Sequence, residues 1–446
     1  MSFQKKYGPW ITEEYISPHD KETGMLALPK EINKIIKTIE ESGFQAYVVG
    51  GSIRDGLMGL KPEDWDLASN APMEIVLKLF PRAVAIGEKY GVVQVTLGQM
   101  TADVAAMRID GDYTDYRRPD NVTFTDQIEE DLKRRDFTIN GMAFHPERGL
   151  IDPLGGQKDL RNKLIRTIGD PQERFTQDPL RILRGIRFAG QLDFDLSMET
   201  FSAMQKTTFL LEQISMDRRR QEFEKLILTK NAAKALRICI SADIMPTIFG
   251  ESYPPKGKQD NGDLSVLIQN LNKSRPQLDL RMALILLCFE KQKAFKIVEE
   301  MNYSGDMAKK LVAAQNLMMD LYFATDKYSI KRLIYQQGED IYHFLDNVAK
   351  QMRNVYDMPG YRIESRYYLL DEIRKFKEPI FIDQLEINGK DLIESGIAEG
   401  DQVGQLLNML IEVVHKYPGL NTKPKLLKKA KDLKKPWKAK FRNIHF

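Results

Sequence analysis

Between Leu28 and Gly43 (LPKEINKIIKTIEESG) apolar residues recur three and four positions apart, which predicts an amphipathic helix ended by glycine. The pattern then changes. Tyr47, Val48 and Val49 form a contiguous aromatic and β-branched run that Gly50 and Gly51 interrupt, so a short strand should turn into a helix capped by Ser52 and carrying Arg54. After Pro62 a second short strand is expected to present Asp64 and Asp66. Pro72 to Phe80 reads as a helix packed on the sheet, Val84 to Leu97 (VAIGEKYGVVQVTL) alternates into a strand after a glycine-rich turn, and Asp103 opens a further strand, DVAAMR. Gly, Asp, Asn and Pro crowd Met107 to Phe124 (MRIDGDYTDYRRPDNVTF) and predict a long loop in which Arg108, Arg117 and Arg118 interleave with Tyr113 and Tyr116. Ile128 to Met142 (IEEDLKRRDFTINGM) loads a helix start with Glu129, Glu130 and Asp131 and follows it with Lys133, Arg134 and Arg135.

From Gly169 onward the periodicity is helical. Arg174 to Leu192 (RFTQDPLRILRGIRFAGQL) places Pro179 where a first helical turn tolerates it, so that Asp178 is a cap or early helix residue and Arg181 shares its face. Ser215 to Leu228 reads as another helix, and beyond about residue 230 leucine, isoleucine and methionine recur at helical spacing without a repeat, broken by a linker or long loop from Gly250 to Leu264. Strands and helices mixed first, helices alone afterwards, make this an α+β chain. The expected organisation is an irregular extension over 1–28, a mixed-sheet head over 29–165, a helical neck over 166–230, a helical body over 231–330 and a helical tail over 331–446.

At 446 residues the chain is too long for one core. Its net charge of +3 is too small to argue for a nucleic-acid partner, so clustering has to carry that inference. One cluster does: Lys423 to Arg442 holds ten Lys or Arg against one Asp, with Trp437 and Phe441 interleaved. Cys239 and Cys288 sit in apolar helical contexts and form neither a metal pair nor a disulfide framework. No apolar run is long enough to span a membrane and the first residues lack a signal-peptide core, so a cytoplasmic protein is expected. The five histidines are scattered.

The candidate chemistry lies between Tyr47 and Ser69. Two glycines let main chain approach an anion, the following helix start offers amide groups to phosphate oxygens, and Arg54 adds a bidentate contact. Asp64 and Asp66, at i and i+2, should share one face of a strand while Trp65 points into the core. Hard oxygen ligands beside a phosphate cradle suit Mg²⁺. Asp103 is a candidate third carboxylate or an ordinary strand residue.

This combination resembles the head-domain signature of the nucleotidyltransferase (polymerase-beta-like) superfamily, in particular the class II group of tRNA nucleotidyltransferases that contains the bacterial CCA-adding enzymes and poly(A) polymerases. Gly87, Lys89, Tyr90 and Gly91 are similar to the CCA-adding version of their segment. The loop with Arg108, Arg117 and Arg118 resembles the family's flexible loop for terminal A addition, and RRDFTINGM resembles the motif RRDFTINAM, with Gly141 in place of alanine. DPLRILRGIRFA resembles the nucleotide-selecting EDxxR region, with Gln177 where relatives have Glu, and Asp217, Arg218 and Glu222 resemble ERxxxE. The resemblance implies catalytic, metal-holding Asp64 and Asp66, and nucleotide binding by Gly50, Gly51, Arg54, Arg135, Asn140, Asp178, Arg181, Arg184 and Arg187. It implies template-independent addition of CCA to tRNA 3′ ends from CTP and ATP, with pyrophosphate released, Mg²⁺ as cofactor and helical domains gripping the tRNA acceptor arm. An enzyme that adds only A to tRNA ending in CC, a poly(A) polymerase and a noncatalytic RNA-binding protein are the alternatives. The oligomeric state is open, a homodimer included.

Overall fold

The computed structural model describes residues 28–87, 91–111, 113, 116, 119, 121–254, 263–356 and 363–441. The chain divides into two compact units, one running to Glu251 and the other from Ser252.

The first unit is built on a seven-stranded mixed sheet of order β3-β4-β5-β2-β1-β8-β9, comprising β1 (Ala46–Val49), β2 (Asp66–Ser69), β3 (Val84–Gly87), β4 (Val92–Leu97), β5 (Met100–Ala106), β8 (Ala143–His145) and β9 (Gly149–Ile151). Only β2 and β5 run parallel. Both faces of β1 are covered, which explains its unbroken apolar run. Ala46 and Val48 join one core with Leu67, Val93, Val95 and Val104, whereas Tyr47 and Val49 join another with Ala68, Ile128 and Leu132. Helix α1 (Lys30–Glu40) closes the first core through Ile32, Ile35, Ile36 and Ile39, the i, i+3, i+4, i+7 stripe read from sequence. Burial of each contributes about 1.5–3 kcal/mol. Helix α2 (Gly51–Leu57) follows the Gly-Gly turn, and α3 (Met73–Leu79) packs Val76 into the first core.

Several boundaries differ from those expected. Gly50, not Ser52, stands at the N-cap of α2, and the Ser52 hydroxyl donates back to the Val49 carbonyl at 3.2 Å. Strand β2 begins at Asp66, so Asp64 lies in a bend before it rather than at strand position i. Val84 to Leu97 is two antiparallel strands, and Asp103 sits inside β5 instead of opening it. The expected loop after Met107 is rooted in a small antiparallel pair, β6 (Arg108–Asp110) and β7 (Val122–Phe124). Arg108 therefore belongs to a strand. Lys89, Tyr90, Arg117 and Arg118 lie outside the described residues. Helix α4 (Ile128–Lys133) stops before Arg135, and Thr138–Asn140 form a single 3₁₀ turn.

Past α5 (Gly156–Arg161), the two-residue strands β10 (Leu164–Ile165) and β11 (Asp195–Leu196) pair in parallel. Between them run α6 (Pro171–Gln177) and α7 (Leu180–Leu192). Helices α8 (Met198–Thr207), α9 (Met216–Ile227), α10 (Ala232–Ser241) and α11 (Met245–Phe249) complete the unit, with α9 and α10 packed on α7.

The second unit is helical, as its periodicity predicts. It buries Lys331 entirely, satisfied by Glu378 at 2.7 Å, and Arg366 against Asp346 at 3.1 Å. The basic run forms helix α12 (Lys423–Phe441), whose Leu426 and Ala430 enter a core with Leu392, Leu410 and Val414. Lys423, Lys425, Lys428 and Lys431 remain exposed on it. No helix among the described residues is long and apolar enough to cross a membrane.

Candidate active site

A cavity of about 900 Å³ opens in the first unit. Gly50, Gly51, Arg54, Asp64, Asp66, Arg135 and Asn140 line it from the strand-bearing part, and Asp178, Arg181, Arg184 and Arg187 from α7 and the residues just before it. Register explains one side. Val49 pairs with Asp66, and Asp66 pairs with Asp103, so the end of β1, where the chain turns at Gly50, lies beside the acidic end of β2. Asp66 faces the same side as Ala68 and looks toward the end of α4, while Trp65 is buried in the core.

The turn has room only for glycine. Gly50 has φ +77°, and a Cβ there would lie 3.2 Å from Arg135 Nη1 and 3.6 Å from Asp66 Oδ2. Gly50→Ala is therefore expected to wedge Arg135 away from Asp66 and to slow single-turnover nucleotide incorporation about 10²-fold. Unchanged single-turnover rates would show that the turn does not set this spacing.

Carboxylates gather at the acidic end of the cavity. Burial pushes the Asp66 carboxyl up, Arg135 pulls it down, and the neighbouring charges of Asp103 and Asp64 push it up again. Although Asp66 is open to the cavity on one side, burial of the rest of the group together with the two carboxylates outweighs Arg135. Asp64, Asp66 and, next to them, Asp103 are the oxygen donors available to a hard divalent ion. Asp103 also accepts from Gln94 Nε2 at 3.2 Å, and no preformed cluster of three His, Cys, Asp or Glu ligands exists among the described residues.

Arg54 is buried and held in place. Its Nε donates to Asp55 at 2.8 Å and its Nη1 to Asn140 Oδ1 at 2.8 Å. Asn140 donates in turn to Asp136 Oδ1 at 3.0 Å, and Asp136 Oδ2 receives Arg184 through Nη2 at 2.6 Å and Nε at 3.0 Å. A continuous polar chain thus joins the Gly-Gly helix to α7. Burial would raise the Asp136 carboxyl, but the Arg184 charge and hydrogen bonds from Asn140, Arg184 and the Phe137 N–H outweigh it and hold the group well below the usual range. Arg135 pairs with Asp131 at 3.1 Å.

Just before α7, at the carboxyl end of α6, the Asp178 carboxylate accepts from the Leu180 N–H at 3.2 Å and faces Arg218 at 3.9 Å. Burial raises this carboxyl, and the charges of Arg181 and Arg218 oppose the rise. Arg181 does not close an ion pair on Asp178. Its Nη1 donates to the Arg174 carbonyl and its Nη2 to the Arg134 carbonyl, each at 3.3 Å. Arg187 pairs with Glu222 at 2.9 Å, which ties α9 to α7. Arg108 is not in the cavity wall; its Nε meets Asp110 at 2.9 Å.

Sequence reasoning missed Phe188. Its ring lies under three guanidinium groups, of Arg187 at 4.4 Å, Arg54 at 5.2 Å and Arg184 at 5.8 Å. The i, i+3, i+4 spacing of Arg184, Arg187 and Phe188 was the available signal.

Comparison with known proteins adds the following. The family described as "Poly A polymerase head domain" matches residues 46–166, and "Probable RNA and SrmB- binding site of polymerase A" matches 193–253. A CCA-adding enzyme of Ligilactobacillus salivarius is 33% identical over 414 residues, covering 91% of this chain and 98% of the relative. One from Streptococcus pyogenes is 33% identical over 396 residues, covering 86% and 92%. The crystal structure of the Bacillus stearothermophilus CCA-adding enzyme in complex with CTP aligns with a TM-score of 0.74 at 26% identity, over 95% of this chain and all (100%) of that one.

Proposed function

We propose how this chain, which belongs to the family of CCA-adding enzymes, carries out template-independent addition of C, C and A to tRNA 3′ ends, with CTP and ATP as donors and pyrophosphate as the leaving group. The observation that carries the reading is the convergence in one cavity of the Asp64–Asp66 carboxylates, the arginines beside the Gly-Gly turn, and the Asp178–Arg181 pair.

Family membership brings metal dependence. Asp64 and Asp66 are the residues that would hold Mg²⁺, which supplies charge neutralisation for the leaving pyrophosphate and acidification of the tRNA 3′ hydroxyl. The remaining work falls to the chain itself. Main chain at Gly50 and Gly51 lets the triphosphate approach, and Arg54 and Arg135 grip it from fixed positions. The 3′ oxygen bonds to the α-phosphorus as the bond from that phosphorus to the bridging oxygen breaks, and pyrophosphate carries away the electron pair. Asn140 and Asp136 orient Arg54 and Arg184 rather than touching the reacting atoms.

Base choice follows from hydrogen-bond sign. Cytosine and adenine both present an amino donor next to a ring-nitrogen acceptor, matching the Asp178 carboxylate and the Arg181 guanidinium. Uracil and guanine present a carbonyl oxygen instead, which sets acceptor against acceptor. The exposed lysines of the C-terminal helix suit an RNA backbone, and tRNA binding should weaken with salt. A tRNA substrate supports a cytoplasmic location.

Incubation with tRNA lacking its last three, two or one residues, plus CTP and ATP, tests the reading. All three substrates are expected to be completed to CCA. Incorporation restricted to A on tRNA ending in CC, or long A tails, would replace it with the A-adding or poly(A) activity.

A further inference from the structure

Arg174 lies outside the cavity wall, yet three of its bonds converge on the elements that form it. Its Nη2 donates to the carbonyls of Arg134, by a short contact, and of Arg135 at 2.7 Å, at the carboxyl end of α4. Its Nη1 donates to Gln177 Oε1 at 2.6 Å. Its own carbonyl accepts Arg181 Nη1 at 3.3 Å and the Asp178 N–H at 3.3 Å. The Arg134 carbonyl that receives Arg174 receives Arg181 Nη2 as well.

Arg174 therefore brackets Arg181 twice, through a shared acceptor and through its own main chain. It also joins the segment bearing the base-reading pair to the main chain of Arg135, the arginine beside Gly50 and Asp66. All three acceptors on its guanidinium are neutral: two carbonyls and an amide. A guanidinium held by neutral oxygens is fixed by direction rather than by charge, so Gln177 decides where the fork points.

We propose that Arg174 is a positioning residue for nucleotide choice: it fixes Asp178 and Arg181 at a set distance from the triphosphate grip, and Gln177 aims it. The proposal rests on Asp178 and Arg181 reading the base. Loss of the Arg174 side chain leaves Arg181 its two carbonyl acceptors but removes the ties that place them, on the Arg134 and Arg135 carbonyls and on Gln177, so correct nucleotides lose contacts that wrong ones never made. CTP and ATP suffer, and UTP suffers less.

The test is steady-state incorporation of CTP, ATP and UTP onto tRNA lacking its last three or last one residues, for the parent, Arg174→Ala, Gln177→Met and Gln177→Glu, with Asp178→Ala as reference. In Arg174→Ala the preference for CTP over UTP, as the ratio of kcat/KM values, is expected to fall about 10- to 100-fold, with KM for CTP raised and KM for tRNA unchanged. Gln177→Met, which removes the acceptor from a half-exposed position, should lose preference in the same direction and by about 3- to 10-fold, whereas Gln177→Glu retains an acceptor and keeps the preference. Equal losses on all nucleotides with preference intact in both Arg174→Ala and Gln177→Met would reduce Arg174 to a structural staple and overturn the proposal. Should Arg174→Ala not fold, Gln177→Met with parental preference overturns it alone. Asp178→Ala separates the two levels: preference lost there but kept in the Arg174 and Gln177 variants sinks only the positioning role, and preference kept in Asp178→Ala sinks the base-reading assignment with it.

Discussion

Asp66→Ala is expected to lower nucleotide incorporation about 10³-fold or more while leaving tRNA affinity unchanged. Asp66 stands at the point where the sheet register brings Val49, the Gly50 turn and Asp103 together, so no neighbouring side chain takes its place. Stability should move the other way. Burial and the charges of Asp103 and Asp64 raise the Asp66 carboxyl despite Arg135. A carboxyl raised in the folded state disfavours folding once it ionises, so stability contributed by its proton is lost as pH rises through the folded value. The variant removes that burden at neutral pH. A melting temperature equal to or above the parent's, together with lost incorporation, identifies a functional group held against its own repulsion. A melting temperature that falls along with activity would instead make Asp66 a structural residue.

The largest loss of stability is expected from Asp136→Ala. Its carboxylate is buried and accepts Arg184, Asn140 and the Phe137 N–H, so truncation leaves three donors without it. Breaking a fully buried ion pair costs about 3–5 kcal/mol, and because the Arg184 side chain is 37% exposed and keeps some water, about 2–4 kcal/mol is expected here. The pH dependence has a definite sign. Asp136 is depressed in the folded protein, so its contribution is complete above the ordinary carboxylate value near about 4 and disappears as pH falls toward the lower folded value. Urea unfolding of parent and variant should therefore differ most at neutral pH and converge in acid. A constant difference across that range would assign the loss to packing around Asp136, not to its charge.

Local patterns carried most of the site. Gly50, Gly51, Arg54, Asp64 and Asp66 fall within a short stretch whose order dictates their proximity, and the strand and turn propensities there agree. Even so, periodicity placed Asp64 on a strand that starts two residues later, since Pro62 and Glu63 leave a bend that short-range propensity does not distinguish from an extended start. The polar chain was not legible. Arg54 and Asn140 are 86 residues apart and Asp136 and Arg184 48 apart, and nothing in either segment alone names the other. Nothing in the sequence singles out Arg174, for the same reason: the carbonyls it holds lie 39 and 40 residues away. The three-residue strands β6 and β7 lie among turn formers, which hid them inside an expected loop. In the second unit the helices were visible, but the burial of Lys331 against Glu378 depends on a partner 47 residues away.

The chain of bonds from Asp55 through Arg54, Asn140 and Asp136 to Arg184 acts as a brace across the catalytic groove. Swinging the two walls of the groove apart, to widen it for adenine or narrow it for cytosine, would break the Asp136–Arg184 ion pair, so the brace opposes that motion. The fit of a pyrimidine and then a purine therefore falls to adjustments within the groove, not to its two walls parting.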